Sequence, residues 1–181
     1  MSFWKKKDNL IITGFVVAFF IGLAIWYQGM PFTTNSASAN PFDIPFVNQD
    51  QKQVCLREFK GKPLVVNFWA TWCSVCVKKM GTLNRFAAKF QANGGQVVAI
   101  SQDRGGLATV RAYYARNDYK NLAIYLEPSG QLANALGVQG FPTTIFIDAQ
   151  GNEVGRIAGG IDWESDDVNA LIKQYFGMDV S

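Results

Sequence analysis

Two cysteines one helical turn apart, in the run Trp72-Cys73-Ser74-Val75-Cys76, are the residues of this chain best placed to do chemistry. The stretch before them, Leu64-Val65-Val66-Asn67-Phe68-Trp69, is β-branched and aromatic and predicts a buried strand. After them Met80, Leu83, Phe86, Ala87 and Phe90 recur at helical spacing. The thiols therefore fall where a strand turns into a helix, with Cys73 at the helix N-terminus. Unpaired backbone N–H groups and the helix dipole favour an anion at that position. A thiolate is such an anion, and it is the nucleophile of disulfide exchange. Cys76 lies on the same helical face and can close a small ring with Cys73.

Cys-x-x-Cys is shared by redox pairs, half zinc sites and haem attachment sites. Haem attachment wants a His directly after the second Cys, and Val77 stands there. The chain has no His at all, and its third cysteine is Cys55. A structural zinc site usually takes four Cys or His ligands, which three thiols cannot supply within one chain. Gly105-Gly106 and Gly159-Gly160 lack the spacing of a nucleotide fingerprint. These residues call for no metal and no other cofactor. Cys55, isolated among apolar neighbours, is expected to be a small core hydrophobe.

The elements that position the pair occupy only part of the 181 residues. Residues 1–9, with Lys5-Lys6-Lys7, are expected in the cytoplasm, because lysines flank the cytoplasmic end of an anchor. Residues 10–27 carry no charge, are mostly Ile, Val, Phe, Leu, Ala and Gly, and close on Trp26-Tyr27. That length and composition predict a single transmembrane helix ending in interfacial aromatics. Ala37-Ser38-Ala39 offers a signal-peptidase motif, but the apolar run exceeds a typical signal core and the motif lies far downstream of it. An uncleaved anchor is therefore favoured. Residues 28–42, uncharged up to Phe42 and rich in small and polar residues, read as a linker.

Residues 43–181 are expected to fold outside the cytoplasm. Of the net charge of +3, most belongs to the lysine cluster, since beyond Asp8 there are 14 Lys and Arg against 13 Asp and Glu. A near-neutral outer domain has no bulk electrostatic reason to bind nucleic acid. It is long enough to bury a core without disulfide staples, which leaves its cysteines available for chemistry.

Along this domain, Phe46-Val47 and Val54-Cys55-Leu56 read as edge strands, and Asn93-Gly94-Gly95 stops the helix that follows the pair. Gln96 to Ser101 is a second buried strand, Leu107 to Asn117 a helix, Ala123 to Leu126 a short strand and Gln131 to Leu136 a short helix. Thr144 to Ile147 and Glu153 to Ile157 form a hairpin about the Asp148-to-Gly151 turn. Val168, Leu171, Ile172, Tyr175 and Phe176 then make one apolar helical stripe. Alternating strands and helices that end in a hairpin predict an α/β domain, a central mixed β-sheet flanked by helices on both faces.

The run Phe68-Trp69-Ala70-Thr71-Trp72-Cys73-Ser74-Val75-Cys76, followed by Gly140-Phe141-Pro142-Thr143-Thr144, resembles the thioredoxin-like fold. More closely, the chain is similar to the membrane-anchored TlpA/ResA group of thiol–disulfide oxidoreductases. The likeness covers nearly all of residues 43–176, including the TlpA-type insertion before Pro142 and the segments 99–103, 138–142 and 159–163. It implies that Cys73 is the nucleophile, Cys76 the resolving thiol, and that both form a redox disulfide. It implies a cis Phe141–Pro142 bond facing the thiols, with Trp72, Phe141 and Thr143 touching substrate. It also implies an inner-membrane protein facing the periplasm or outside, and a transmembrane thiol electron donor. The implied partners are disulfide-containing proteins: apocytochrome c, or the copper-site cysteines of cytochrome oxidase and its copper chaperone.

Two positions lack the expected carboxylate. Asn67 replaces the buried acid that thioredoxins carry six residues before the first Cys, as is common in the TlpA group. Lys79 stands where the TlpA group usually has Glu, and its side chain is expected to reach solvent. The function expected is a membrane-tethered reductant of disulfides in cytochrome c or cytochrome oxidase copper-site assembly. The rivals are a disulfide-forming oxidase, which commonly has His between its cysteines where this chain has Ser74-Val75, and a carrier holding Cu(I) on Cys73 and Cys76.

Overall fold

Six consecutive apolar or amide side chains, Leu64–Trp69, form a strand buried on both faces. Even positions pack to one side with Val98, Ile100 and Ile145, and Val65 and Trp69 pack to the other with Val97, Ala99 and Phe146. A continuous apolar run of this kind belongs at the centre of a sheet. The computed structural model, which describes residues 40–180, places it there. The expected anchor at residues 10–27 lies outside the described residues. Among the described residues no helix is long and apolar enough to cross a membrane.

In chain order the strands are β1 (Phe46–Asn48), β2 (Gln53–Val54), β3 (Leu64–Trp69), β4 (Gln96–Ser101), β5 (Tyr125–Leu126), β6 (Thr143–Ile147) and β7 (Glu153–Ala158). The helices are α1 (Ser74–Ala92), α2 (Gly106–Arg116), α3 (Gln131–Ala135) and α4 (Asp166–Phe176). One seven-stranded sheet runs β2-β1-β5-β4-β3-β6-β7. β3 pairs parallel with β4 and antiparallel with β6, so the sheet is mixed as expected.

The helices are not shared evenly between the two faces. α1, α2 and α4 send Met80, Leu83, Phe86, Phe90, Val110, Tyr114, Val168 and Ile172 into one cluster. The opposite cluster is closed by α3, through Leu132 and Ala133, and by Leu56 of the 3-10 turn Leu56–Phe59. α4 begins under the Ser165 cap, whose hydroxyl accepts from the Val168 N–H, and carries Asp166 and Asp167 in its first turn. Both features stabilise a helix N-terminus.

Asn40 caps the 3-10 turn Pro41–Asp43, its side chain accepting from the Phe42 N–H. Cys55 departs from expectation. β2 ends at Val54, and the Cys55 N–H donates to Glu58 Oε1 at 2.9 Å. That reach-back from three residues on turns the chain out of the strand. Leu56 alone enters the core, and Cys55 is left half-buried.

Gly95 supports α1 from beyond its end. A Cβ built there would stand 2.4 Å from the ring of Phe90, which is fully buried and stacked on Phe86. Gly95→Ala is expected to cost about 1–3 kcal/mol in overpacking. Denaturant unfolding checks this, and an unchanged midpoint would show that the ring yields freely.

Candidate active site

The carboxyl end of β3 delivers the chain directly to the cysteines. Trp69 accepts from the Gln102 N–H at 2.8 Å, which carries the pairing with β4 one step past its end. The turn Ala70-Thr71-Trp72 is then held by one carboxylate. Asp103 Oδ2 accepts from the Thr71 N–H at 2.9 Å and from the Ser101 hydroxyl at 2.7 Å, while Oδ1 accepts from the Thr71 hydroxyl. Asp103 is 2% exposed, so these bonds replace its hydration. The Cys73 N–H closes the turn by donating to the Ala70 carbonyl.

Cys73 caps α1 with its sulfur, which accepts from the Cys76 N–H at 3.2 Å. The two cysteines are joined in a disulfide, so the structure shows the oxidised form. Cys73 is 9% exposed and Cys76 2%. The N-terminus of a 19-residue helix lies under Cys73. It favours a thiolate there through its unpaired N–H groups and dipole.

The Phe141–Pro142 peptide bond is cis. The Phe141 carbonyl oxygen lies 3.6 Å from the Cys73 sulfur, and the Pro142 carbonyl accepts from the Gly159 N–H at 2.8 Å. Thr143 is buried, and its hydroxyl donates to the Gly140 carbonyl at 2.7 Å, so that group is committed within the loop. Trp72, 66% exposed, stands edge-on to the Phe141 ring at 5.9 Å, and Val75 is 48% exposed beside the pair.

Two grooves meet at Phe141. One, of about 610 Å³, runs between Trp72, the segment Gln102–Gly105 and the turn Pro128–Gly130. The other, of about 290 Å³, lies along Gly140, Pro142, Thr143 and Arg156. An extended polypeptide laid across Phe141 would enter both.

Behind Cys76 the departures from the expected pattern come together. Asn67 Nδ2 donates to Thr144 Oγ1 at 2.9 Å, a neutral buried pair. Lys79 does not simply run out to solvent: it is half-buried, and its Nζ lies 3.8 Å from Asp162 Oδ2. Next to Asp162, the Arg85 guanidinium grips Glu164 through two bonds of 2.7 Å and holds that carboxyl below its usual pKa range. Among the described residues, no three His, Cys, Asp or Glu side chains gather as a metal site.

Sequence reasoning named the cysteines, Pro142, Trp72 and Phe141, which the structure brings to one place. It missed Asp103, Ser101 and Asp162. A signal for the first two existed: Ser-Gln-Asp ends β4, and ligand sites in such sheets gather at the carboxyl ends of strands.

Sheet, helix-capping cysteine pair and cis-proline together define a thioredoxin-like protein with a redox-active disulfide. The Redoxin family matches residues 28–172, and the chain belongs to that family. Thiol-disulfide oxidoreductase ResA of Bacillus thuringiensis subsp. konkukian is 30% identical over 159 residues, spanning 85% of this chain and 90% of that one. Among solved structures, a thiol:disulfide interchange protein DsbE from Chlorobium tepidum is 25% identical with a TM-score of 0.65, covering 73% of this chain and 92% of its own. The exposed lipoprotein thioredoxin of Streptococcus pneumoniae is 29% identical with a TM-score of 0.61, covering 72% and 98%. Within its family the chain is a thiol–disulfide oxidoreductase of the ResA group.

Proposed function

We propose that the protein is tethered to the inner membrane by residues 10–27, faces the periplasm or outside, and reduces disulfides during cytochrome c or cytochrome oxidase copper-site assembly. The observation that carries the chemistry is the asymmetry of the pair: Cys73 at a helix N-terminus under the cis-proline, Cys76 enclosed behind it. In the reduced protein the Cys73 thiolate attacks a substrate disulfide and forms a mixed disulfide, and one substrate thiolate leaves. Cys76 then attacks Cys73 Sγ, the second substrate thiolate leaves, and the Cys73–Cys76 bond keeps the oxidising equivalents. A transmembrane thiol donor returns two electrons to that bond. Trp72 and Phe141 flank the attacking sulfur, and the Phe141 backbone, just ahead of the paired strand, faces an extended substrate.

Likeness to ResA and to an exposed lipoprotein thioredoxin supports an extracytoplasmic setting. So does the uncharged run at residues 10–27, flanked by lysines.

One experiment tests direction and address together. Cells quenched in acid, alkylated and fractionated should yield the protein in the membrane pellet, with Met1 or Ser2 at its N-terminus and Cys73 and Cys76 mainly as thiols. A soluble protein beginning at Asn40 would overturn the tether. A pair found mainly as disulfide would overturn the reductant in favour of the oxidase.

A further inference from the structure

We infer that Lys79 is the charge partner of the Cys76 thiolate and that Asp162 restrains it, so that this pair sets how fast the mixed disulfide is resolved. The inference rests on the exchange reaction proposed above and adds a group that tunes its second step.

Cys76 must ionise to attack, yet it is 2% exposed. Burial in apolar surroundings opposes a thiolate. Behind it lies a cavity of about 10 Å³, room for about one water molecule. Its polar walls are Asn67 and Thr144, which are neutral and bonded to each other, and Lys79. Among the residues lining the cavity, Lys79 is the one titratable side chain besides Cys76 itself. It follows Cys76 by three residues on α1 and so shares its face.

Lys79 is also held from the other side. Its stem runs along Gly160, where an added Cβ would stand 3.4 Å from Lys79 Cγ. Its ammonium ends 3.8 Å from Asp162 Oδ2. The ammonium thus pairs with Asp162 while Lys79 lines the same cavity as Cys76.

The remaining charges nearby are accounted for. Glu164, on the same loop as Asp162, is gripped by Arg85 from α1. Lys78 is exposed on the next position of α1. Asp103 sits on the Cys73 side, tied to Thr71 and Ser101. From β3 and β6, Asn67 and Thr144 present no charge.

A cation favours the thiolate and a nearby carboxylate weakens that effect. Lys79→Met and Asp162→Asn should therefore act in opposite directions. A pKa change of about one unit alters the thiolate fraction about tenfold below the pKa. The more basic thiolate is the better nucleophile, with a Brønsted coefficient of about 0.4–0.5, which returns roughly half of that logarithm. The net change expected is about threefold in rate.

The test uses the full-length reduced protein in detergent and a bis(nitrobenzoate) disulfide as probe. Attack by Cys73 releases one thionitrobenzoate and leaves the other joined to Cys73. Cys76 loses its proton to solvent, its sulfur bonds to Cys73 Sγ, and the second thionitrobenzoate departs with the electron pair. Both releases are followed by absorbance across pH.

Relative to the unaltered protein, Lys79→Met should slow the second release about threefold near neutral pH and move its profile to higher pH. Asp162→Asn should speed it about threefold and move the profile to lower pH. Lys79→Arg should behave as the unaltered protein. If Lys79→Met and Asp162→Asn shift the profile in the same direction, the pair only clamps the loop and the inference is overturned. Unmoved profiles overturn it equally. If the unaltered protein releases the first group but never the second, the exchange reading itself fails and this inference falls with it.

Discussion

A Cys76→Ser variant in its native membrane should accumulate covalent complexes with its partners, visible on non-reducing gels and abolished by reductant. The substitution leaves Cys73 at the helix N-terminus, with its sulfur free to attack a substrate disulfide. It removes the thiol that resolves the mixed disulfide. Trapping should go from undetectable to the dominant fate of reacted protein, because the remaining exit needs a thiol from outside. Cys73→Ser should trap little, since Cys76 is enclosed behind Pro142 and the Gly159–Gly160 turn.

A Cu(I) carrier gives another pattern. Each substitution removes one of two sulfur ligands, so both variants should lose copper alike and neither should trap partners. Pro142→Ala is an informative third arm, because losing the ring opens the cover over Cys73 and should prolong mixed disulfides even with both thiols present. If Cys76→Ser traps nothing while both cysteine variants lose copper equally, exchange gives way to the carrier.

The second large effect is expected at Asp103. Asp103→Ala should destabilise the protein by about 3–5 kcal/mol, since hydrogen bonds to a charged group are worth about 1.5–3 kcal/mol each and buried donors left unpaired cost a similar amount. The Thr71 N–H loses its acceptor outright, whereas the Thr71 and Ser101 hydroxyls can rotate in search of others. Asp103→Asn keeps the shape and one acceptor oxygen and should lose about half as much. Denaturant unfolding of the oxidised proteins measures both. A loss under about 1 kcal/mol for Asp103→Ala would mean that the turn carrying Trp72 and Cys73 holds itself without this carboxylate. Since total stability of such domains is about 5–15 kcal/mol, a loss of the predicted size would be plain in the transition midpoint.

What the sequence made legible was local. The strand before the pair is apolar on both faces, α1 and α4 each show one stripe at helical spacing, and the hairpin turn carries Asp148 and Gly151 where a turn needs them. Periodicity reports such features because neighbouring residues alone decide them. The resemblance supplied the meeting of Pro142 with Cys73, which no periodicity contains.

The features missed depend on distant chain. Asp103 matters because parallel pairing sets Ser101 opposite Trp69, which brings the end of β4 beside the turn after β3. Lys79 stays half-buried because the loop 159–163 folds across the first turns of α1. Cys55 left the core because Glu58 captured its N–H, a competition that an apolar run of Val54, Cys55 and Leu56 does not reveal. A charged or polar residue takes its role from what approaches it. That partner is chosen by topology.

The antiparallel pairing of β3 with β6 has a consequence for how such a protein can change over generations. Phe68 faces Thr143 and Asn67 faces Thr144, so the strand that ends at the cysteines lies against the one that begins at the proline. The distance from sulfur to proline is thus counted out in paired residues. A single codon deleted within either strand would send every following side chain to the opposite face of the sheet. It would also carry the cysteines out of reach of Pro142. The larger groove obeys no such count. Its outer walls, Arg104 with Gly105 and Pro128 with Gly130, belong to connections that can lengthen or shorten without disturbing a strand. Choice of substrate is therefore free to drift by insertion and deletion, while the chemistry is locked in frame.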